Sequence, residues 1–195
     1  MILRLRAALL AGLAVTLVAS ALAQVRPSGL AQTSVMCGTE SRPGWRQIFA
    51  FDGSHWKRFR ALSDIPDKGD DSARLAQVWQ GPMNMILVTI GANLRDTFVQ
   101  TSYCYRGGGQ LIALTHEVRD PSGWTYLSSQ EYDDSGHAVK GSARFFDGER
   151  TGKQSRPVKE PGASEAALLN PPVYSRFEDL PFASLYRPLA DSEKY

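Results

Sequence analysis

Residues 97–105 read TFVQTSYCY, 110–119 read QLIALTHEVR, 124–132 read WTYLSSQEY and 138–146 read AVKGSARFF. Each run has the length of a β-strand and a strand-like share of aromatic and β-branched residues. Gly107-Gly108-Gly109, Pro121-Ser122-Gly123 and Asp133-Asp134-Ser135-Gly136 separate the runs. Connections this short join neighbouring antiparallel strands, so Thr97–Asp147 predicts one meander on which the rest of the chain packs. Alternation assigns the faces. Val99, Tyr103 and Tyr105 lie together, with Cys104 opposite. Ile112, Leu114 and Val118 share a face with His116, and Trp124, Tyr126 and Tyr132 share one with Ser128 and Gln130. Val139, Ala143 and Phe145 share a face, against Lys140, Ser142 and Arg144. One buried and one wetted face is the usual arrangement of an antiparallel sheet.

Further strands precede the meander. Arg74–Trp79 and Met83–Ile90 flank Gly81-Pro82, and the second is apolar on both faces, as a strand buried on both sides is. Gly91–Asp96 is polar and is expected to turn the chain into the meander. In Trp45–Arg60, Trp45, Phe49 and Phe51 alternate, and Asp52-Gly53 reads as a two-residue hairpin turn with His55–Phe59 returning. The spacing of Trp56, Phe59 and Arg60 also fits a short helix over Ser54–Leu62; the alternation favours the hairpin. Asp64–Ser72 is a loop. Its aspartates (Asp64, Asp67, Asp70 and Asp71) raise a calcium site, but no glutamate closes the loop as in an EF-hand, so a solvated loop is expected.

After the meander, Arg150–Pro172 is linker-like. A helix is expected over Glu165–Leu169 with Ser164 as N-cap. A second is expected over Leu180–Tyr186, capped by Asp179, with Pro181 in its first turn and Phe182, Leu185, Tyr186 and Leu189 forming an apolar stripe. That stripe should dock the C-terminus on the sheet. The fold class is therefore mainly β: a single antiparallel meander sheet (curled, half-barrel or sandwich-like) with one or two short C-terminal helices. The aromatic-then-Gly turns after Phe51, Tyr105, Tyr132 and Phe146 rhyme, but their unequal intervals are not those of a repeat array.

The chain starts with an address. Arg4 and Arg6, an apolar run over Ala7–Val18 and Ala21-Leu22-Ala23 predict a secretory signal peptide over residues 1–23, with mature residues from Gln24. The apolar run is shorter than the ~20 residues of a spanning helix. Residues 24–44 read as a flexible lead-in, 45–156 as the β domain and 157–195 as a Pro-rich tail. Removing Arg4 and Arg6 from 22 Lys+Arg leaves 20 against 20 Asp+Glu, a neutral chain. Such a chain lacks the field that steers a protein to nucleic acid or anionic lipid. The expected location is periplasmic or extracellular. In an oxidising compartment the two cysteines, Cys37 and Cys104, are expected to form a disulfide.

Catalytic signatures are missing from the sequence. There is no Gly-x-Ser-x-Gly elbow, no HExxH and no phosphate-cradling glycine loop before a helix. No cofactor and no metal site is expected. His55 and His137 fall at turns, and His116 on an apolar face reads as a buried, hydrogen-bonded core histidine. The cluster His55–Arg60 reads as a strand protected by positive charge from edge pairing. The leading expectation is a non-catalytic exported domain that binds an apolar ligand or an envelope partner. Tyr103, Tyr105, Trp124, Tyr126 and Tyr132, with His116, are the candidate ligand-binding residues. The alternatives are a secreted hydrolase built around His116 and a structural or interaction subunit of an envelope assembly using the C-terminal stripe. An open groove lined by the aromatics favours the first. A partly exposed His116 within reach of a Ser, Asp or Glu side chain favours the second, and exposed Phe182 and Leu185 favour the third.

Overall fold

The computed structural model describes Cys37 and residues 46–66, 73–94, 96–147 and 163–188. The signal peptide, the lead-in apart from Cys37, most of the aspartate loop, and residues 148–162 and 189–195 lie outside the described residues. The chain forms β1 (Arg46–Phe51), β2 (Trp56–Phe59), β3 (Arg74–Gln80), β4 (Ile86–Leu94), β5 (Thr97–Tyr105), β6 (Leu111–Arg119), β7 (Trp124–Tyr132) and β8 (Ala138–Asp147). A short helix, α1 (Ala163–Leu168), and several 3₁₀ turns complete it. All pairings are antiparallel, in one open eight-stranded sheet of order β2-β1-β3-β4-β5-β6-β7-β8.

From β3 onward the strands are neighbours in sequence and in space. The exception is the start. β2 and β3 both pair with β1 and so run parallel to each other. β2 ends with Phe59 opposite Ile48, whereas β3 begins with Arg74 opposite Phe51. Parallel strands require a crossover connection, and residues 60–73 supply it. The crossover carries a 3₁₀ turn at Leu62–Asp64.

Two clusters form on opposite faces. Phe49, Ala76, Val78, Val88, Tyr103, Tyr105, Leu111 and Leu114 face Leu180 and Phe182 of the C-terminal segment. On the other face Cys37, Leu87, Cys104 and Ala113 pack with Trp79, Met85 and Ile112. Cys37 and Cys104 are disulfide-bonded, with Cα atoms 5.8 Å apart, as expected.

Four local expectations change. The first hairpin turns through Gly53-Ser54, because Asp52 pairs with His55 (N–H to O, 3.3 Å) and only Gly53 has positive φ, 93°. The carboxylate of Asp52 takes up the turn's donors instead, accepting from Ser54 N and His55 N at 3.1 Å each. β4 starts at Ile86 and runs on through Leu94, so Gly91–Asn93 is strand rather than turn. Met83 and Asn84, with φ of 53° and 58°, make the β3–β4 connection. α1 begins at Ala163, which puts Ser164 inside it rather than at its N-cap. The C-terminal stripe docks on the sheet but forms 3₁₀ turns at Phe177–Asp179 and Ala183–Leu185, with no α-helix over Leu180–Tyr186.

Two expectations about faces also change. The β5–β6 register shifts at Cys104/Tyr105, so Leu111 opposes Tyr105 and joins the aromatic core, while Ile112 packs near the disulfide. The β7–β8 register shifts at Glu131/Tyr132; Val139 is 61 % exposed and Ala143 is exposed as well, so of the three residues expected to share an inward face only Phe145 is partly buried.

Candidate functional site

Around Tyr103 and Tyr105 the aromatic face is covered by the C-terminal segment. Tyr103 and Tyr105 stack with ring centroids 6.3 Å apart and are fully buried. Their hydroxyls donate to backbone carbonyls of the C-terminal segment, Tyr103 to Pro172 O at 3.0 Å and Tyr105 to Tyr174 O at 3.2 Å. Burial raises both phenol pKa values well above their ordinary range. Phe182 fills the space between Phe49 (4.8 Å) and Trp56 (4.9 Å). Tyr132 packs partly buried against the same cluster. At the far end Trp124 and Tyr126 contact Phe145, at 5.9 and 5.0 Å. Phe182 is fully buried and Leu185 is partly buried against the core. Phe182, Leu185 and Tyr186 of the stripe thus pack on this sheet, and Leu189 lies outside the described residues.

His116 is 2 % exposed. Its Nε2 lies 2.6 Å from Leu168 O and its Nδ1 2.9 Å from Thr101 Oγ1. A carbonyl only accepts, so the proton sits on Nε2 and Nδ1 accepts from the Thr101 hydroxyl. Desolvation lowers its pKa, against the opposing pull of the Leu168 hydrogen bond and the Glu117 charge. These contacts tie α1 to the sheet. The turn acids are capping groups. Asp133 accepts from His137 N at 2.9 Å and Ser135 N at 2.8 Å, which holds its carboxyl below the usual range, the His137 bond contributing most. Asp52 is depressed further, first by Lys57 at 2.8 Å and then by Ser54 and His55. Among the described residues no group of His, Cys, Asp and Glu could hold a metal ion, and no helix is long and apolar enough to cross a membrane.

A cavity of about 1050 Å³ lies on the disulfide-bearing face, at the end of the sheet away from the disulfide. Its floor follows one register row: Lys57 opposes Ala50, Ala50 opposes Leu75, Leu75 opposes Gly91 and Gly91 opposes Gln100. Ala50 and Gly91 are the small residues that make the depression. Gln77, Thr89 and Asn93 add uncharged polar groups. Phe59 and Phe98 stand on either side, and Leu62, Ile65 and Pro66 of the crossover form a wall. The crossover imposed by the β2-β1-β3 order is therefore what turns a sheet face into a cavity.

Charge at the site is mostly compensated. Lys57 is paired with Asp52 at 2.8 Å. Beyond Gln100, Glu117 is nearly fully buried and pairs with Arg119 at 2.7 Å, whose guanidinium lies 5.0 Å over the Phe98 ring. Arg74 sits at the mouth, 6.0 Å over the Phe51 ring.

None of Tyr103, Tyr105, Trp124, Tyr126, Tyr132 or His116 lines this cavity. Tyr103 and Tyr105 belong to the core, and no motif in the sequence singles out Ala50, Leu75, Gln77, Gly91 and Gln100. The legible signal was the opposite face: small and uncharged polar residues alternating with the core positions of β1 and β3–β5. Comparison with protein-family models, with curated proteins and with solved structures finds no match to this chain.

Proposed function

We propose that this protein is an exported, non-catalytic binding module, and that its ligand site is the cavity beneath the crossover rather than the aromatic face. One observation carries the reading: an open space of about 1050 Å³, walled largely by apolar side chains and holding a few uncharged polar groups. Ligand sites of small molecules have this size and make-up. The signal-peptide pattern of residues 1–23 and the Cys37–Cys104 disulfide support export. Leu180 and Phe182 pack against Tyr103 and Tyr105 on the aromatic face, which favours the cavity over that part of the sheet.

The test is binding of Nile red, an uncharged solvatochromic dye, to the purified disulfide-bonded protein. Saturable blue-shifted fluorescence is expected, and Gly91→Leu should abolish it. A Cβ on Gly91 meets only Val99 O at 3.8 Å, so the added side chain grows into the cavity without straining the strand. Unchanged dye binding in Gly91→Leu, with an unchanged melting temperature, would place the dye elsewhere and sink the proposal.

A further inference from the structure

We infer that the ligand of this cavity is an uncharged amphiphile: an aliphatic body carrying an amide- or hydroxyl-type polar group. The inference rests on the cavity being the binding site and adds what the site selects. Burying an ion in an apolar space requires a partner charge. Here the charged pairs that bracket the floor are already satisfied, Lys57 by Asp52 at one end and Glu117 by Arg119 at the other. An ionic head would have to displace one partner of a pair or stay at the mouth with Arg74.

The polar groups that remain are amides. Gln100 is half-buried at the end of the floor row, and Asn93 lies two register positions further, opposite Phe98. Neither side-chain amide has a hydrogen-bond partner among the described residues. A carboxamide offers both a donor and an acceptor, so it recognises a group that does the same. A ligand amide or hydroxyl matches; a carboxylate only accepts and an ammonium only donates. The crossover wall of Leu62 and Ile65, with Leu75 of the floor, would cover the aliphatic part.

The experiment is displacement of Nile red from the purified disulfide-bonded protein by dodecanamide, dodecan-1-ol, dodecanoate and dodecylammonium, each below its aggregation limit. The amide and the alcohol should bind about tenfold or more tightly than either ion, because the ion loses hydration it does not recover. Gln100→Leu should weaken the amide about tenfold more than it weakens Nile red, the scale of one hydrogen bond in a desolvated site. Asn93→Leu, at an exposed position, is the second variant should Gln100→Leu melt early. Equal affinity across the series, or a preference for dodecanoate that Arg74→Gln removes, overturns the selectivity and leaves the cavity as a binding site. Failure of Nile red and of every chain to bind overturns the cavity reading itself.

Discussion

His116 belongs to a buried polar network in which its ring supplies one donor and one acceptor. Protonation disrupts that match. The unfolded chain titrates near the ordinary value of 6.5, and burial puts the folded value lower. Between those values the unfolded state binds more protons than the folded one, so stability rises with pH. The protein should therefore hold a constant urea midpoint between about pH 7 and 9 and lose stability as pH falls below about 6.5. His116→Gln keeps a donor for Leu168 O and removes the titration. It should cost roughly 1–2 kcal/mol at neutral pH, the scale of a buried hydrogen bond, and flatten the acid limb. Urea melts of both proteins across this pH range check it; an equally steep limb in the variant would assign the titration to another group. The histidine's structural role was legible, because an apolar strand face surrounds it in the sequence. Its partners were not: Leu168 lies 52 residues away, and no local pattern announces such a contact.

At the scale of elements, the strands of the meander were the easy part. Period-two alternation and Gly, Pro and Asp turns are local properties, and β5 and β7 appear with the boundaries the sequence implied. Bulges are different, because they depend on how two strands meet; thus Leu111 and not Ile112 enters the core. The C-terminal stripe misled in a related way. A spacing of i, i+3 suits a 3₁₀ turn as well as an α-helix, and what decides is the sheet beneath: Phe182 must reach Phe49 and Trp56. Phe182→Ala should cost about 3–5 kcal/mol, as other emptied aromatic core sites do, read from the shift in the denaturant midpoint. Turns offer a sharper test. Gly107, Gly108 and Gly109 look equivalent in sequence, but a Cβ on Gly107 comes within 3.0 Å of Asn84 Cβ and 3.1 Å of Met83 O. Gly109 sits at φ +80°, and Gly108 has open space around it. Gly107→Ala and Gly109→Ala should each destabilise by about 1 kcal/mol or more, whereas Gly108→Ala should be neutral or slightly stabilising. Thermal melts of the three variants separate these outcomes, and a uniform cost would show that the turn's backbone is not held as described.

For the whole molecule, strand order from β3 to β8 followed from short connections, but the crossover and the cavity under it did not. They arise from Ala50, Phe59, Leu62, Leu75, Gly91 and Gln100, which no window of sequence brings together. The same open topology leaves two edges. β2 is four residues long, and β8 is ten. Long exposed edges template pairing with other chains unless charge or irregularity blunts them. β8 carries Lys140 and Arg144 on one face, with the register shift and exposed Val139 at its start. Lys140 is held 3.2 Å from Glu131 of the neighbouring strand, a surface pair of little consequence for stability. Placed on an edge strand, these cations are expected to discourage a second strand from docking. Replacing both, Lys140→Val with Arg144→Val, raises β-propensity and removes the repulsion, so the variant should associate while its unfolding cooperativity stays that of the parent. Arg58→Val on the short β2 edge serves as the control and should leave the association state unchanged. Sedimentation velocity over a concentration series decides the matter: an association state unchanged from the parent in the β8 double variant would mean that the register shift at Glu131/Tyr132 alone protects the edge, and that Lys140 and Arg144 are only solvated surface.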